Sequence, residues 1–118
     1  MNRISFYGTI YSGDFEVVKR ILEEWLEPEA LKVKIRLSGE EITYETEEFY
    51  LYCHNALGSE GVTPYYLLEG NTSLGLDGTR DRLEALLSLC KSENVVGTFE
   101  YVEVNDDGDQ VSEEFRVA

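Results

Sequence analysis

The stretch RISFYGTIYSGDFEVVKRILEEWLEP, residues 3–28, holds the two hydrophobic periods that decide the fold class. From Arg3 to Tyr11 the period is two. Ile4, Phe6, Gly8 and Ile10 share one face, and Ser5, Tyr7, Thr9 and Tyr11 the other, which is the pattern of a strand. Ser12-Gly13-Asp14 then breaks the alternation and offers an N-cap, since a short side-chain oxygen can accept from the unpaired N–H groups of a first helical turn. After it the spacing becomes helical. Phe15, Val18, Leu22, Trp25 and Leu26 form an apolar stripe, with Glu16, Lys19, Arg20, Glu23 and Glu27 on the other side. Glu16 can pair with Arg20 and Lys19 with Glu23 at i, i+4. Pro28, which has no N–H to donate, stops the helix.

Working outward, Leu31, Val33, Ile35 and Leu37 alternate with Lys32, Lys34 and Arg36 ahead of Ser38-Gly39-Glu40-Glu41. A Gly39-Glu40 hairpin loop sets Leu37 opposite Ile42, Ile35 opposite Tyr44 and Val33 opposite Thr46. The same register sets Lys34 opposite Glu45 and Lys32 opposite Glu47, neutralising charge across the strands. From Glu48 the alternation changes phase, with Phe49, Leu51 and Cys53 opposing Tyr50, Tyr52 and His54. A bulge or short break near Glu47-Glu48 is expected, with Tyr44 joining Tyr50 and Tyr52 on one face. Residues 55–63 read as a loop, Pro64 to Glu69 as a strand and Gly70 to Gly78 as a glycine-rich link. A second helix is expected from about Thr79 to Glu93, burying Leu83, Leu86, Leu87 and Cys90. A hairpin of Val95 to Val104 and Val111 to Val117 closes the chain around Asn105–Gln110.

These elements predict one α+β domain over residues 1–118, with a mixed or mainly antiparallel sheet and both helices on one face. Gly8 and Gly13 recur 62 positions later as Gly70 and Gly75. A βαββ duplication, with halves 1–54 and 64–118, is therefore expected.

Composition limits the function. Asp and Glu number 24 against 10 Lys and Arg, a net charge of −14. Such a field repels phosphates and anionic lipid and attracts basic protein surfaces, so neither nucleic acid nor membrane is an expected partner. Met1, Asn2 and Arg3 lead into an alternating strand rather than an apolar signal run, and Cys53 and Cys90 are too few for a disulfide framework. A cytoplasmic protein is the expectation.

Catalytic and metal motifs are missing. His54 is the sole histidine, and Cys53 beside it points to the opposite face of a strand, so a Cys-His nucleophile has no support. Zinc pairs at short spacing are absent. Asn105, Asp107 and Asp109 fit the first, third and fifth positions of a calcium loop, but Gln110 stands where Gly is needed. Gly75-Leu76-Asp77-Gly78 has the spacing of an RNA-binding loop, yet it follows a strand and carries an acid. No catalytic residue, metal site or cofactor is expected, and the chain is read as a non-enzyme.

The charge itself is uneven. From Glu100 to Glu114 stand Glu100, Glu103, Asp106, Asp107, Asp109, Glu113 and Glu114 with no Lys or Arg, a charge of −7 that makes up half of the total. Like charges on a hairpin oppose folding, so they call for a reason outside it. Binding is the reason taken here; protection of a sheet edge is the other. Exposed tyrosines, Tyr50 and Tyr52 foremost, supply the aromatic anchors that interfaces use beside a charged rim.

In size, acidity, α+β composition and lack of catalytic motifs the chain resembles the small acidic immunity proteins of bacterial toxin systems. That resemblance implies a partner: a cognate basic toxin, nuclease-like, whose cationic site is occluded. The acidic residues of the last hairpin would face its Lys and Arg, and Tyr50 and Tyr52 would anchor it. Two other readings are an acidic nucleic-acid mimic, such as a phage inhibitor of a nuclease or CRISPR effector, and a small-molecule-binding or enzymatic domain with a cleft near Tyr50, Tyr52 and His54.

Overall fold

A computed structural model describes residues 2–37, 39–56 and 65–118. The elements are β1 (Arg3–Tyr11), α1 (Phe15–Trp25), a 3-10 turn (Pro28–Ala30), β2 (Leu31–Arg36), β3 (Gly39–Glu45), β4 (Phe49–Ala56), β5 (Tyr65–Thr72), α2 (Gly75–Ser92), β6 (Val96–Val104) and β7 (Phe115–Val117). The strands form one sheet in the order β2-β3-β4-β5-β1-β6-β7, and every neighbouring pair is antiparallel. The α+β expectation holds, with the antiparallel arrangement the observed one.

Both helices cover the same face. Ile4, Phe6 and Ile10 of β1, Tyr66 and Leu68 of β5, Leu51 and Cys53 of β4, and Phe99 and Tyr101 of β6 meet Val18, Ile21 and Leu22 of α1 and Leu83, Leu86 and Cys90 of α2. Asp14 caps α1 by accepting from the Glu16 N–H at 3.0 Å, as the Ser-Gly-Asp break implied. Arg20 does not pair with Glu16: its Nε and Nη2 donate to the two carboxylate oxygens of Glu93 at 2.9 and 2.7 Å, tying α1 to the end of α2. The Lys19–Glu23 pair is present at 3.8 Å. α2 begins at Gly75, four residues before the expected Thr79, because Gly75 takes φ +77° and starts the helix directly after β5. Gly70 lies inside β5 rather than in a link, and Pro64 lies outside the described residues.

Three register expectations need correction. In the first hairpin Arg36 pairs with Gly39, Lys34 with Glu41, Val33 with Ile42 and Leu31 with Tyr44. The pairing thus closes at Arg36 and Gly39, and each β2 residue meets a partner four positions earlier than expected. An even shift keeps every side chain on its face, which is why alternation alone could not detect it. Near Glu47-Glu48 the expected break is present, and it is a reversal of the chain rather than a bulge: the Thr46 N–H donates to the Phe49 carbonyl at 2.8 Å, and β4 pairs antiparallel with β3. Tyr44 therefore faces the helices and is buried, away from Tyr50 and Tyr52. In the last hairpin only Phe115–Val117 forms a strand. Val104 bridges to Gln110, the Val111 N–H donates to the Glu103 carbonyl at 2.9 Å, and the Ser112 hydroxyl accepts from the Glu103 N–H at 2.9 Å, so residues 111–114 stay beside β6 without forming a strand.

The central pair β1–β5 sets Phe6 opposite Gly70 and Gly8 opposite Leu68. Residues 62 apart, 6 and 68 or 8 and 70, thus exchange places about a local twofold at Tyr7 and Glu69. In the first half β4 occupies the place beside β5 that β6 occupies beside β1.

Candidate protein-binding face

With both helices on one side, the other face of the sheet is bare. Alternation places on it the residues that the core did not take. One row crosses the sheet from β3 to β7 as Thr43, Tyr52, Glu69, Tyr7, Glu100 and Arg116, each directly opposite the next. Tyrosine and glutamate alternate through its centre. Adjacent rows carry Glu41, His54, Leu67, Thr9 and Thr98 on one side and Glu45, Tyr50, Asn71, Ser5 and Val102 on the other. Tyr65 and Tyr11 stand beyond them with ring centroids 6.1 Å apart.

The hydroxyl of Tyr7 sits between two acids, donating toward Glu114 and Glu100. These two carboxylates hold its pKa above the ordinary tyrosine range, with Glu114 the larger influence, and burial adds to it. Glu100 is drawn below the usual carboxylate range by a hydrogen bond from Glu114, which places the proton shared by the two acids on Glu114, and then by the Tyr7 hydroxyl. Tyr52 stacks beside His54 at 5.0 Å and is raised by burial and by hydrogen bonding to Glu41. A depression of 180 Å³ opens between Tyr7, Thr9, His54, Leu67 and Glu69.

The expected site residues divide by position. Glu100, Glu114, Tyr50 and Tyr52 share the bare face. β4 and β6 are three strand spacings apart, so the Tyr52 and Glu100 backbones lie roughly 14 Å from each other. Glu103 falls opposite Ile4 on the helix side and accepts from the Asn2 amide at 3.2 Å. Asp106, Asp107 and Asp109 occupy the turn after β6, where Asn105 Oδ1 accepts from the N–H groups of Asp107 and Asp109 at 2.9 and 3.0 Å. Gly108, at φ +84°, makes that turn. The turn is not remote from the face: a groove of 400 Å³ runs from Arg3, Ser5 and Asn71 to Asn105, Asp106 and Gly108. Glu113 lies exposed in the segment between the turn and β7.

Sequence reasoning missed Tyr7, Tyr11 and Glu69, although the alternation of β1 already put Tyr7 and Tyr11 on the face away from the core. It also missed a second acidic gathering. Glu27, Glu47 and Glu48 line a cavity of 580 Å³ with Arg82, which packs over Trp25 and Phe49 at 5.8 and 5.5 Å from the ring centroids. Glu47 lines this cavity and Glu45 stands opposite Tyr50, so neither meets Lys32 or Lys34, and the first half is less neutralised than its sequence suggested.

Comparison with family models and with curated proteins finds no match to this chain. Among the described residues no three His, Cys, Asp or Glu side chains converge as a metal site. Among the described residues no helix is long and apolar enough to cross a membrane.

Proposed function

We propose that this chain is an acidic binding protein that inhibits a basic partner, acting as an immunity protein that occludes the cationic site of a nuclease-like toxin. The observation that carries the reading is the bare sheet face, where Tyr52, Glu69, Tyr7 and Glu100 alternate across four adjacent strands. Tyrosines offer large, rigid contact area and a polar tip, and the interleaved carboxylates reward a Lys or Arg placed between them. The acidic turn of Asp106, Asp107 and Asp109 borders the same face and extends its field toward an approaching cation.

A small-molecule cleft near Tyr50, Tyr52 and His54 is less well supported. The depression beside His54 holds 180 Å³, below the roughly 300 Å³ at which ligand pockets begin.

The test is affinity capture from the native host, followed by titration of the complex with salt. Affinity is expected to fall with ionic strength, mainly through the association rate. Tyr7→Ala or Tyr52→Ala is expected to cost about 2 kcal/mol of binding, as central aromatic anchors do. Glu69→Gln with Glu100→Gln should slow association, and Asp106→Asn with Asp107→Asn should slow it less. A complex indifferent to salt and to all these changes would overturn the reading.

A further inference from the structure

Among the described residues β2 ends the sheet, and its sole strand neighbour is β3. Every second backbone N–H and C=O from Leu31 to Arg36 therefore faces outward without a strand partner among the described residues. The side chains of this edge are sorted by face. On the helix side Val33, Ile35 and Leu37 are 40%, 80% and 111% exposed, the last two being the most exposed large apolar side chains described. A groove of 200 Å³ continues inward from them, floored by Pro28, Leu31, Val33 and Ile42. On the bare side Lys32, Lys34 and Arg36 form a cationic row, in a protein of net charge −14. Arg36 reaches Glu41 at 3.1 Å, but no carboxylate lies within ion-pair distance of Lys32 or Lys34 among the described residues.

We propose that the β2 edge receives an extended strand of a partner protein in which apolar and acidic residues alternate. Backbone pairing would extend the sheet by one strand. The partner's apolar side chains would then cover Val33 and Ile35 on the helix side, and its carboxylates would stand beside Lys32 and Lys34 on the other. A second copy of this chain fits poorly. Two β2 edges related by a twofold pair antiparallel, which brings the Lys-Lys-Arg row of one against the same row of the other. The partner differs in sign from the basic one bound by the bare face, so the two surfaces are independent.

The test uses the full isotope-labelled chain and three blocked peptides: alternating Val and Glu, alternating Val and Lys, and the Val-Glu peptide with a central proline. The Val-Glu peptide should shift the amides of Leu31–Arg36, slow their hydrogen exchange, and bind roughly tenfold tighter than the Val-Lys peptide. The proline peptide should do neither, since proline cannot donate to the ladder. Lys32→Glu with Lys34→Glu should reverse the preference between the charged peptides, and Ile35→Lys should weaken both. Equal binding of the two charged peptides overturns the proposal, as does protection confined to other strands. Protection of β2 that grows with protein concentration alone also overturns it and assigns the edge to a second copy.

Discussion

Phe6 and Gly70 stand opposite one another on β1 and β5, and the Phe6 ring fills the space that a side chain at Gly70 would need. A Cβ there would lie 2.6 Å from the Phe6 ring carbon Cζ and closer still to the Tyr50 carbonyl oxygen. Gly8 is crowded in a similar way from its other neighbour, β6, where a Cβ would meet the Phe99 ring and the Thr98 carbonyl. Two glycines thus let two phenylalanines lie flat at the centre of the core.

Gly70→Ala and Gly8→Ala are therefore expected to destabilise the fold by about 1–3 kcal/mol or more, because backbone oxygens must move as well as side chains. Gly75→Ala meets no atom within 4 Å, and its φ of +77° alone should cost about 1–2 kcal/mol. Urea unfolding at constant slope separates the two cases. Gly75→Ala costing more than Gly70→Ala would contradict this account of the core.

Tyr7 supplies a test of the bare face. Its hydroxyl is held by Glu114 and Glu100, so its phenolate absorbance should develop above the range of an ordinary exposed tyrosine. The sign follows from the raised value. The contacts stabilise the fold fully below the normal tyrosine pKa, and that contribution fades as pH rises through the folded-state one. Tyr66 is raised as well, so Tyr7→Phe should take one tyrosine out of the late-titrating signal rather than abolish it, and should flatten the loss of stability at alkaline pH. A spectrophotometric titration at the phenolate band that shows no late tyrosine would refute the contact.

The contrast between these residues explains what the sequence makes legible. Phe6 and Tyr7 were assigned to opposite faces by alternation alone, and the helices were visible as stripes, since burial imposes those periods on any sequence. Registers were not, because Val33 keeps its face whether it meets Thr46 or Ile42. The turn at Thr46–Glu48 carries no Gly or Pro, and what directs it is the pairing of Leu51 and Cys53 with Tyr44 and Ile42 across β4 and β3. The row Tyr52-Glu69-Tyr7-Glu100 draws on four strands that no local pattern orders, so Tyr52 and Glu100 can be named singly from the sequence while Tyr7 and Glu69 join them only through the pairing of β4, β5, β1 and β6.

Cys53 and Cys90 are free and buried on the helix side of the sheet and on α2. Burial alone pushes their thiols up, to about 12 and about 11. Neither should react with a thiol reagent at neutral pH in the native state, because the thiolate is the reactive form. Both should react in urea, and the rate should follow the unfolding curve. Cys53→Ser should cost about 1–3 kcal/mol by burying a hydroxyl among Ile42, Leu51 and Leu68. Rapid labelling of either cysteine in native buffer would show that its strand or helix opens.

Tyr66 and Glu40 set two limits on stability with pH. The buried Tyr66 hydroxyl donates to Glu40 Oε2 at 2.9 Å, joining β5 to the start of β3 across β4. That bond draws the Glu40 carboxyl below its ordinary range, while burial, then the bond to Glu40, raises the Tyr66 phenol. A depressed carboxyl stabilises the fold above its unfolded pKa and loses that contribution as pH falls through the folded value. A raised phenol stabilises below its unfolded pKa and loses the contribution as pH rises through the folded one. The bond therefore contributes fully between the unfolded carboxylate and tyrosine values. Glu40→Gln should lower stability at neutral pH and flatten its decline toward acid, whereas Tyr66→Phe should lower it at neutral pH and flatten its decline in both directions. Denaturation midpoints measured from pH 3 to pH 11 check both, and parallel curves for wild type and Glu40→Gln across the acid limb would rule out the carboxylate's part.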